Sequence, residues 1–267
     1  MTRNLLVFLP LGEPHVSKKM DILRTNLATI NKGCPDPWSR VVVKVAVYTK
    51  NLQWPADIKG VEVLRRPGVV GDFFRELVTP KSLEEEGHDF LLMLLDDVEI
   101  VSQPDWKRLL VIKEFTGASL LSPTLSHDSA NIVYPYMKHV SNAKYTARML
   151  TQMEYFMFLF DTKSYSERYY TLLDPANPWM WGIDLCLHFS GQVMPLQVND
   201  WIVKHYYQGE SYKLSSRNPQ SDMVIYLAKK GYTVENLWSL RFVISVLHMQ
   251  HLTSEQWDGL WQRIQSF

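Results

Sequence analysis

The chain is predicted to fold as an α/β protein: an open, mostly parallel, twisted sheet flanked by helices, with a helical C-terminal tail. Three observations predict this. Segments of strand length rich in apolar residues recur at Leu5–Pro10, Val41–Tyr48, Val61–Leu64 and Phe90–Leu95, and the unbroken run Phe90–Leu95 reads as a fully buried strand. Segments between them carry apolar residues at helical spacing; Met20, Ile22, Leu23, Leu27 and Ile30 form one such face. Strands alternating with helices predict parallel pairing through right-handed crossovers. The run Phe90–Leu95 also ends in two adjacent carboxylates, Asp96 and Asp97, with Glu99 two residues on. Open α/β sheets bind ligands outside the carboxyl ends of their strands, where these acids would lie.

The elements follow in order. After the first strand comes the loop Leu11-Gly12-Glu13-Pro14-His15, and Ser17 opens a helix that Gly33 stops. Thr49-Lys50-Asn51 follows the second strand, and Trp54-Pro55 lies in a loop. Arg65-Arg66-Pro67-Gly68 follows the third strand. A helix over Gly71–Val78 carries Phe73, Phe74 and Leu77, and Glu84–Gly87 reads as a solvated turn. Pro104-Asp105-Trp106 starts a helix through Leu109, Leu110 and Ile112. Ala118–Pro123 is a short strand, and Ser126–Val140 is polar and irregular. Met153–Phe160 reads as a central strand with an odd acid, Glu154, near its start, and Thr162–Leu172 as a helix. Trp181-Gly182 makes a tight turn that sets Asp184 in the first turn of the next helix, where the helix dipole favours an acid. Val193–Val198 is a strand leading into a segment that contains His205. From Ser221 onward the pattern is helical, with one face over Leu237–Leu247 and a capped last helix at Thr253-Ser254-Glu255-Gln256. The division expected is one α/β domain over 1–215 and a helical extension packed on it over 216–267.

Composition narrows the function. Of 267 residues, 46% are apolar, enough for a core. The formal net charge is zero, so the basic footprint of a nucleic-acid binder is absent. Cys34 and Cys186 form no metal-spacing pattern and read as reduced thiols. No run is long and apolar enough for a transmembrane helix, and Leu5–Pro10 is too short for a signal peptide. A cytoplasmic protein is the expectation. Nine tryptophans suit stacking on sugars or bases, and suit extra core volume equally well.

Asp96 and Asp97 match an oxygen-rich site for Mg²⁺ or Mn²⁺ of the kind that carries phosphates. Helix capping by these acids is the plainer alternative. The order of the remaining motifs favours the site: acids after the fourth strand, then Met153-Glu154-Tyr155-Phe156, then Trp181-Gly182-Ile183-Asp184, then Asp200-Trp201-Ile202-Val203-Lys204-His205 and Gly209. With Arg65-Arg66 and Phe73-Phe74 upstream, this resembles the GT-A class of glycosyltransferases. More narrowly it resembles the GT-A-like family of lysine-ketoglutarate-reductase trans-splicing-related proteins, over about positions 5 to 210. Two departures stand out. Leu95 occupies the place of that family's first acid, and Lys204 is an extra residue before His205.

The resemblance implies a GT-A-like, nucleotide-diphospho-sugar transferase fold over 1–215. It also implies a metal-dependent glycosyltransferase moving a sugar from a nucleotide-diphosphate sugar to a glycan or other hydroxyl acceptor. Mn²⁺ or Mg²⁺ would be held by Asp97 and His205, with Glu99 as the fallback ligand. Asp96 would reach ribose. Leu11, Gly12 and Thr49 lie where the base would dock, and Arg66 would meet the diphosphate or base. Asp184 matches the catalytic base of inverting members. Trp106, Tyr134, Tyr136 and Trp179 are either acceptor-stacking surfaces or core. A catalytically inactive GT-A-like domain that binds a glycan or a protein is the alternative. A nucleotidyltransferase fits poorly, because Leu11-Gly12-Glu13-Pro14 is not a Gly-rich, basic loop.

Overall fold

The four apolar runs of the N-terminal half pair side by side. A computed structural model describes residues 3–32, 36–130, 134–206, 217–239 and 243–265. In it β1 (Asn4–Leu11) lies between β2 (Arg40–Val47) and β4 (Phe90–Leu94), all parallel. β3 (Val61–Arg65) lies outside β2, also parallel. β4 is buried throughout, which is why it reads as an unbroken apolar run rather than an alternating one. Helix α1 (Val16–Lys32) connects β1 to β2 and buries Met20, Ile22, Leu23 and Ile30. Helices α2 (Val70–Leu77) and α3 (Pro80–Glu85) connect β3 to β4. The acidic stretch expected to be a turn is the end of α3. That helix starts because the Thr79 side chain accepts from the Ser82 N–H at 3.0 Å and Pro80 follows the cap.

The sheet continues past β4 through β8 (Met157–Asp161), β6 (Leu120–Leu125), β9 (Pro195–His205), β7 (Ala147–Leu150) and β10 (Val243–Leu247). Short β5 (Val98–Ile100) pairs with the far end of β9. From the pairings, β1, β2, β3, β4, β6, β9 and β10 run one way, and β5, β7 and β8 run the other. The sheet is open and mostly parallel, as expected, and helices flank it.

Four expectations are corrected. The strand expected over Met153–Phe160 begins only at Met157, because Phe156 donates back to the Glu154 carbonyl at 3.1 Å and closes a turn. Glu154 is therefore on a loop. The strand expected to stop at Val198 runs to His205. It passes a bulge at residues 199–201, where the Thr124 hydroxyl donates to the Asn199 carbonyl at 2.9 Å. Before the bulge β9 pairs β7; after it, β5. Leu237–Leu247 is not one helix. Helix α8 (Val234–Ser239) ends, and β-branched Val243, Ile244 and Val246 join the edge of β7 as a strand. Finally, Trp106 opens α4 (Trp106–Thr116) and is core. Its ring meets Trp38 and Trp201 edge-on at 5.7 and 6.2 Å.

The remaining helices complete the layers. α5 (Thr162–Ser164) continues as further helical turns to Leu172, and α6 (Ile183–Gly191) precedes β9. Beyond residue 215 come α7 (Pro219–Lys229), α8, β10 and α9 (Ser254–Gln265). α9 packs on α4, with the Arg108 guanidinium over Trp257 at 4.8 Å and Arg3 over Trp261 at 4.6 Å. No helix among the described residues is long and apolar enough to cross a membrane.

The tryptophan cluster should be a major stabiliser. Trp106→Ala leaves a cavity between Trp38 and Trp201 and should lower unfolding free energy by about 3–5 kcal/mol. Guanidinium unfolding followed by far-UV circular dichroism measures this, and a loss under about 1 kcal/mol would show that the cluster is loosely packed.

Candidate active site

The carboxyl end of β4 delivers Asp96 and Asp97 to the rim of the sheet, and the two are treated differently by their surroundings. Asp96 is buried. Its Oδ2 accepts the Gly12 backbone N–H at 3.0 Å and lies 3.0 Å from Lys19 Nζ. Lys19 reaches in from α1 and also donates to the Gly12 carbonyl at 2.8 Å. Burial pushes the Asp96 carboxyl up to about 6, against the opposing pull of Lys19. Gly12 must be glycine here: a Cβ would stand 2.2 Å from the Tyr48 ring. Tyr48 stacks on Phe73 at 6.0 Å, and its N–H donates to the carbonyl of buried Leu11 at 3.1 Å. Thr49 Oγ1 accepts the Glu13 N–H at 3.0 Å. Leu11, Gly12, Thr49 and Asp96 are thus one fixed loop cluster.

Asp97 faces His205. Its Oδ2 lies 3.3 Å from Nε2, while Oδ1 is buried and accepts no hydrogen bond from any described residue. The bulge in β9 sets His205 opposite Val98, the first residue of β5. Phe156 stacks on the imidazole at 6.4 Å, and the His205 N–H donates to Ser129 Oγ at 3.1 Å. Burial pulls the imidazole down. The Asp97 carboxylate, with Glu154 and Asp96 behind it, more than offsets that and holds it above its ordinary value. Glu99 does not join this pair. It is opposite Lys204 in the ladder, so alternation turns it to the other face from His205, where the Tyr206 hydroxyl donates to it. Lys204 pairs with Asp128 on that side.

Asp184 lies in the first turn of α6, as expected. Gly182 precedes the helix at φ +82°, a left-handed conformation, with Met223 2.8 Å from where a Cβ would lie. The Tyr134 hydroxyl donates to Asp184 Oδ2 at 2.5 Å. Burial raises the Asp184 carboxyl; the Tyr134 hydroxyl and backbone N–H groups of Leu185, Asp184 and Gly182 pull it back without cancelling the rise.

Tyr155 joins the two acidic groups. Its hydroxyl donates to the Trp179 carbonyl at 2.7 Å. Burial, then Asp184, Glu154 and Asp97, drive its ionisation far above the ordinary tyrosine range. Asp184, Glu154 and Asp97 all act electrostatically on this one ring. Tyr136 donates to the Gln152 carbonyl at 3.2 Å, and Trp179 is buried. Arg66 is exposed at the end of β3 and paired with Glu76. Cys34 and Gly209 lie outside the described residues.

Sequence reasoning missed Lys19, Tyr155 and the role of Tyr134. Lys19 left a signal: it shares a helical face with Ile22, Leu23 and Asn26, all buried. Tyr134 and Tyr155 left none beyond their aromatic character.

Asp97 Oδ1 and His205 Nε2 suit a divalent ion, and the oxygen-nitrogen pair suits Mn²⁺. Among the described residues no group of three or more His, Cys, Asp or Glu is placed to hold a metal. Such an ion would therefore complete its shell with substrate phosphates and water.

No protein-family model matches this chain, and no curated protein matches it. Solved structures do resemble it. A197 from STIV is 10% identical, with 78% of this chain and 87% of that one covered, at a TM-score of 0.44. A provisionally assigned nucleotide-diphospho-sugar transferase from Desulfovibrio desulfuricans G20 is 10% identical over 90% and 98%, at 0.43. S. aureus TarS 1–349, solved in complex with UDP, is 10% identical over 94% and 76%, at 0.46.

The Lys19–Asp96 pair yields a direct test. Lys19→Met strands a buried carboxylate and should cost about 3–5 kcal/mol in urea unfolding. Adding Asp96→Asn removes the stranded charge and should recover much of the loss. A single variant as stable as the parent would show that the pair does not hold the loop.

Proposed function

We propose that the chain is a metal-dependent glycosyltransferase that moves a sugar from a nucleotide-diphosphate sugar to a hydroxyl acceptor with inversion. The observation that carries this is an acid-imidazole couple, Asp97 and His205 at 3.3 Å, together with a separate half-buried acid, Asp184, that the Tyr134 hydroxyl holds at 2.5 Å. Glycosyl transfer needs those two functions apart. The leaving diphosphate gathers negative charge, and the acceptor hydroxyl must lose a proton. Asp97 and His205 would hold Mn²⁺ or Mg²⁺, which when bound neutralises the diphosphate. Asp184, whose basicity is raised by desolvation, takes the acceptor's proton. The cluster of Leu11, Gly12 and Thr49 borders the same strand ends and would receive the base, and Asp96 is locked beside it by Lys19. Residues 1–215 would form the donor-binding and catalytic part, with 216–267 packed against it.

A second reading has specific support. Leu95 stands where the resembling family carries an acid, and Asp96 is already taken by Lys19 and Gly12. A catalytically inactive domain that binds a glycan or protein is consistent with both.

Titration calorimetry with UDP- and GDP-sugars, with and without Mn²⁺, separates the two readings. The transferase reading expects metal-dependent binding that Asp97→Asn weakens. Asp184→Asn should leave that binding intact and cut transfer, followed as nucleoside diphosphate release, by roughly 10²–10⁴-fold. Absence of binding to every nucleotide sugar would leave the inactive-module reading standing, and full turnover in Asp184→Asn would remove Asp184 as base.

A further inference from the structure

The Tyr134 hydroxyl is the closest described partner of the candidate base, at 2.5 Å from Asp184 Oδ2. Its ring is itself held from several sides. It is buried and meets Trp238 edge-on at 5.3 Å and 86°. Tyr136 leans on it at 5.6 Å, and Pro135 between them starts a short helical turn whose restricted backbone fixes both rings. Trp238 belongs to α8, beyond residue 215, and α8 packs on α6, the helix that carries Asp184. Gln152 joins this wall: its carbonyl accepts the Tyr136 hydroxyl, and its side-chain amide donates to the Leu237 carbonyl.

We propose that Tyr134 is a positioning residue for Asp184, its hydroxyl fixing the rotamer in which the carboxylate receives the acceptor's proton, and that Trp238 fixes Tyr134 in turn. This rests on Asp184 acting as the base. It gives the C-terminal segment a part in catalysis without contact to substrate.

Ionisable groups from several elements act on this acid among the described residues. Tyr134 comes from the loop before β7, Tyr155 from the turn before β8, Tyr169 from the helical stretch after α5, and Cys186 from α6 itself. The Tyr134 hydroxyl donates to the charged carboxylate and so favours it; removing that donor must raise the Asp184 pKa further. An acidic limb governed by Asp184 then moves to higher pH. A tyrosine that served packing alone would shift nothing when only its oxygen is removed.

Tyr134→Phe keeps the ring and its contact with Trp238, and two readouts follow. The first is the titration of the Asp184 carboxyl by ¹³C NMR, identified by its absence in Asp184→Asn. Its midpoint should rise in Tyr134→Phe; an unmoved midpoint overturns the proposal whatever the activity. The second is UDP or GDP release across a panel of UDP- and GDP-sugars with Mn²⁺. There kcat should fall roughly 10- to 100-fold with donor KM unchanged, and its acidic limb should move up in pH. A raised midpoint with unchanged kcat also overturns positioning. Trp238→Ala should reproduce part of the kcat loss and Trp238→Phe should restore it; equal activity in both removes Trp238 from the proposal. Full turnover in Asp184→Asn, or none in the parent chain with any sugar nucleotide, overturns the base reading itself and is distinct from these outcomes.

Discussion

The buried ion pair between Lys19 and Asp96 is the constraint on which the rim of the sheet depends. Two adjacent carboxylates at the end of β4 cannot both stay charged in a buried setting without help. Lys19 supplies that help to one of them. Because Asp96 is neutralised by an ammonium and a backbone N–H, the negative charge turned toward the site is chiefly that of Asp97. The same ammonium grips the Gly12 carbonyl, so one group sets the acid and the loop after β1 together. The absence of a side chain at Gly12 is part of the arrangement, since the Tyr48 ring fills that space. Asp96 is better understood as the keystone of the loop than as a ligand in waiting.

From that point the site is assembled by one irregular strand. β9 begins as a neighbour of β7 and ends as a neighbour of β5, and the change of partner happens at the bulge over residues 199–201. A regular strand of the same length would keep pairing β7 and would not bring His205 to Asp97. Bulges that re-aim a side chain in this way are common beside active sites. Thr124 holds this one by donating to carbonyls of Asn199 and Trp201 that the ladder leaves over.

How much of this was legible follows from where the information resides. β1, β4 and the inner half of β2 are legible because burial on both faces writes an apolar run, β3 because its valines alternate with a charge, and Asp184 because a helix start writes a glycine followed by an acid. β5 could not be read: three residues with a charge in the middle look like a continuation of the acid motif. The far half of β9 could not, since Asn199 and Asp200 in its bulge look like the end of a strand. β10 reads as helix in the sequence because Leu237, Leu240, Ile244 and Leu247 fall at helical spacing, and only the open edge of β7 decides between the two. Lys19 is not legible because a lysine on an amphipathic helix ordinarily faces water. Trp106 reads in sequence as either a stacking surface or core, and its packing on Trp38 and Trp201 makes it core. Long-range partners, not local pattern, determine every one of these.

Tyr155 lies within electrostatic reach of Asp184, Glu154 and Asp97, and burial together with those charges holds its phenol far from ionisation. It therefore stays a neutral donor, bound to the Trp179 carbonyl. The acids of the site each answer to a local partner. Asp97 answers to His205, Asp96 to Lys19, Asp184 to Tyr134. Each partner is chemically different: an imidazole, an ammonium, a hydroxyl. Each acid is therefore committed to a partner of its own kind, and distinct environments are what allow neighbouring acids distinct roles in one site. The division of roles thus comes from three partners on three different elements, α1, β9 and the loop before β7, and not from the acid motif at the end of β4.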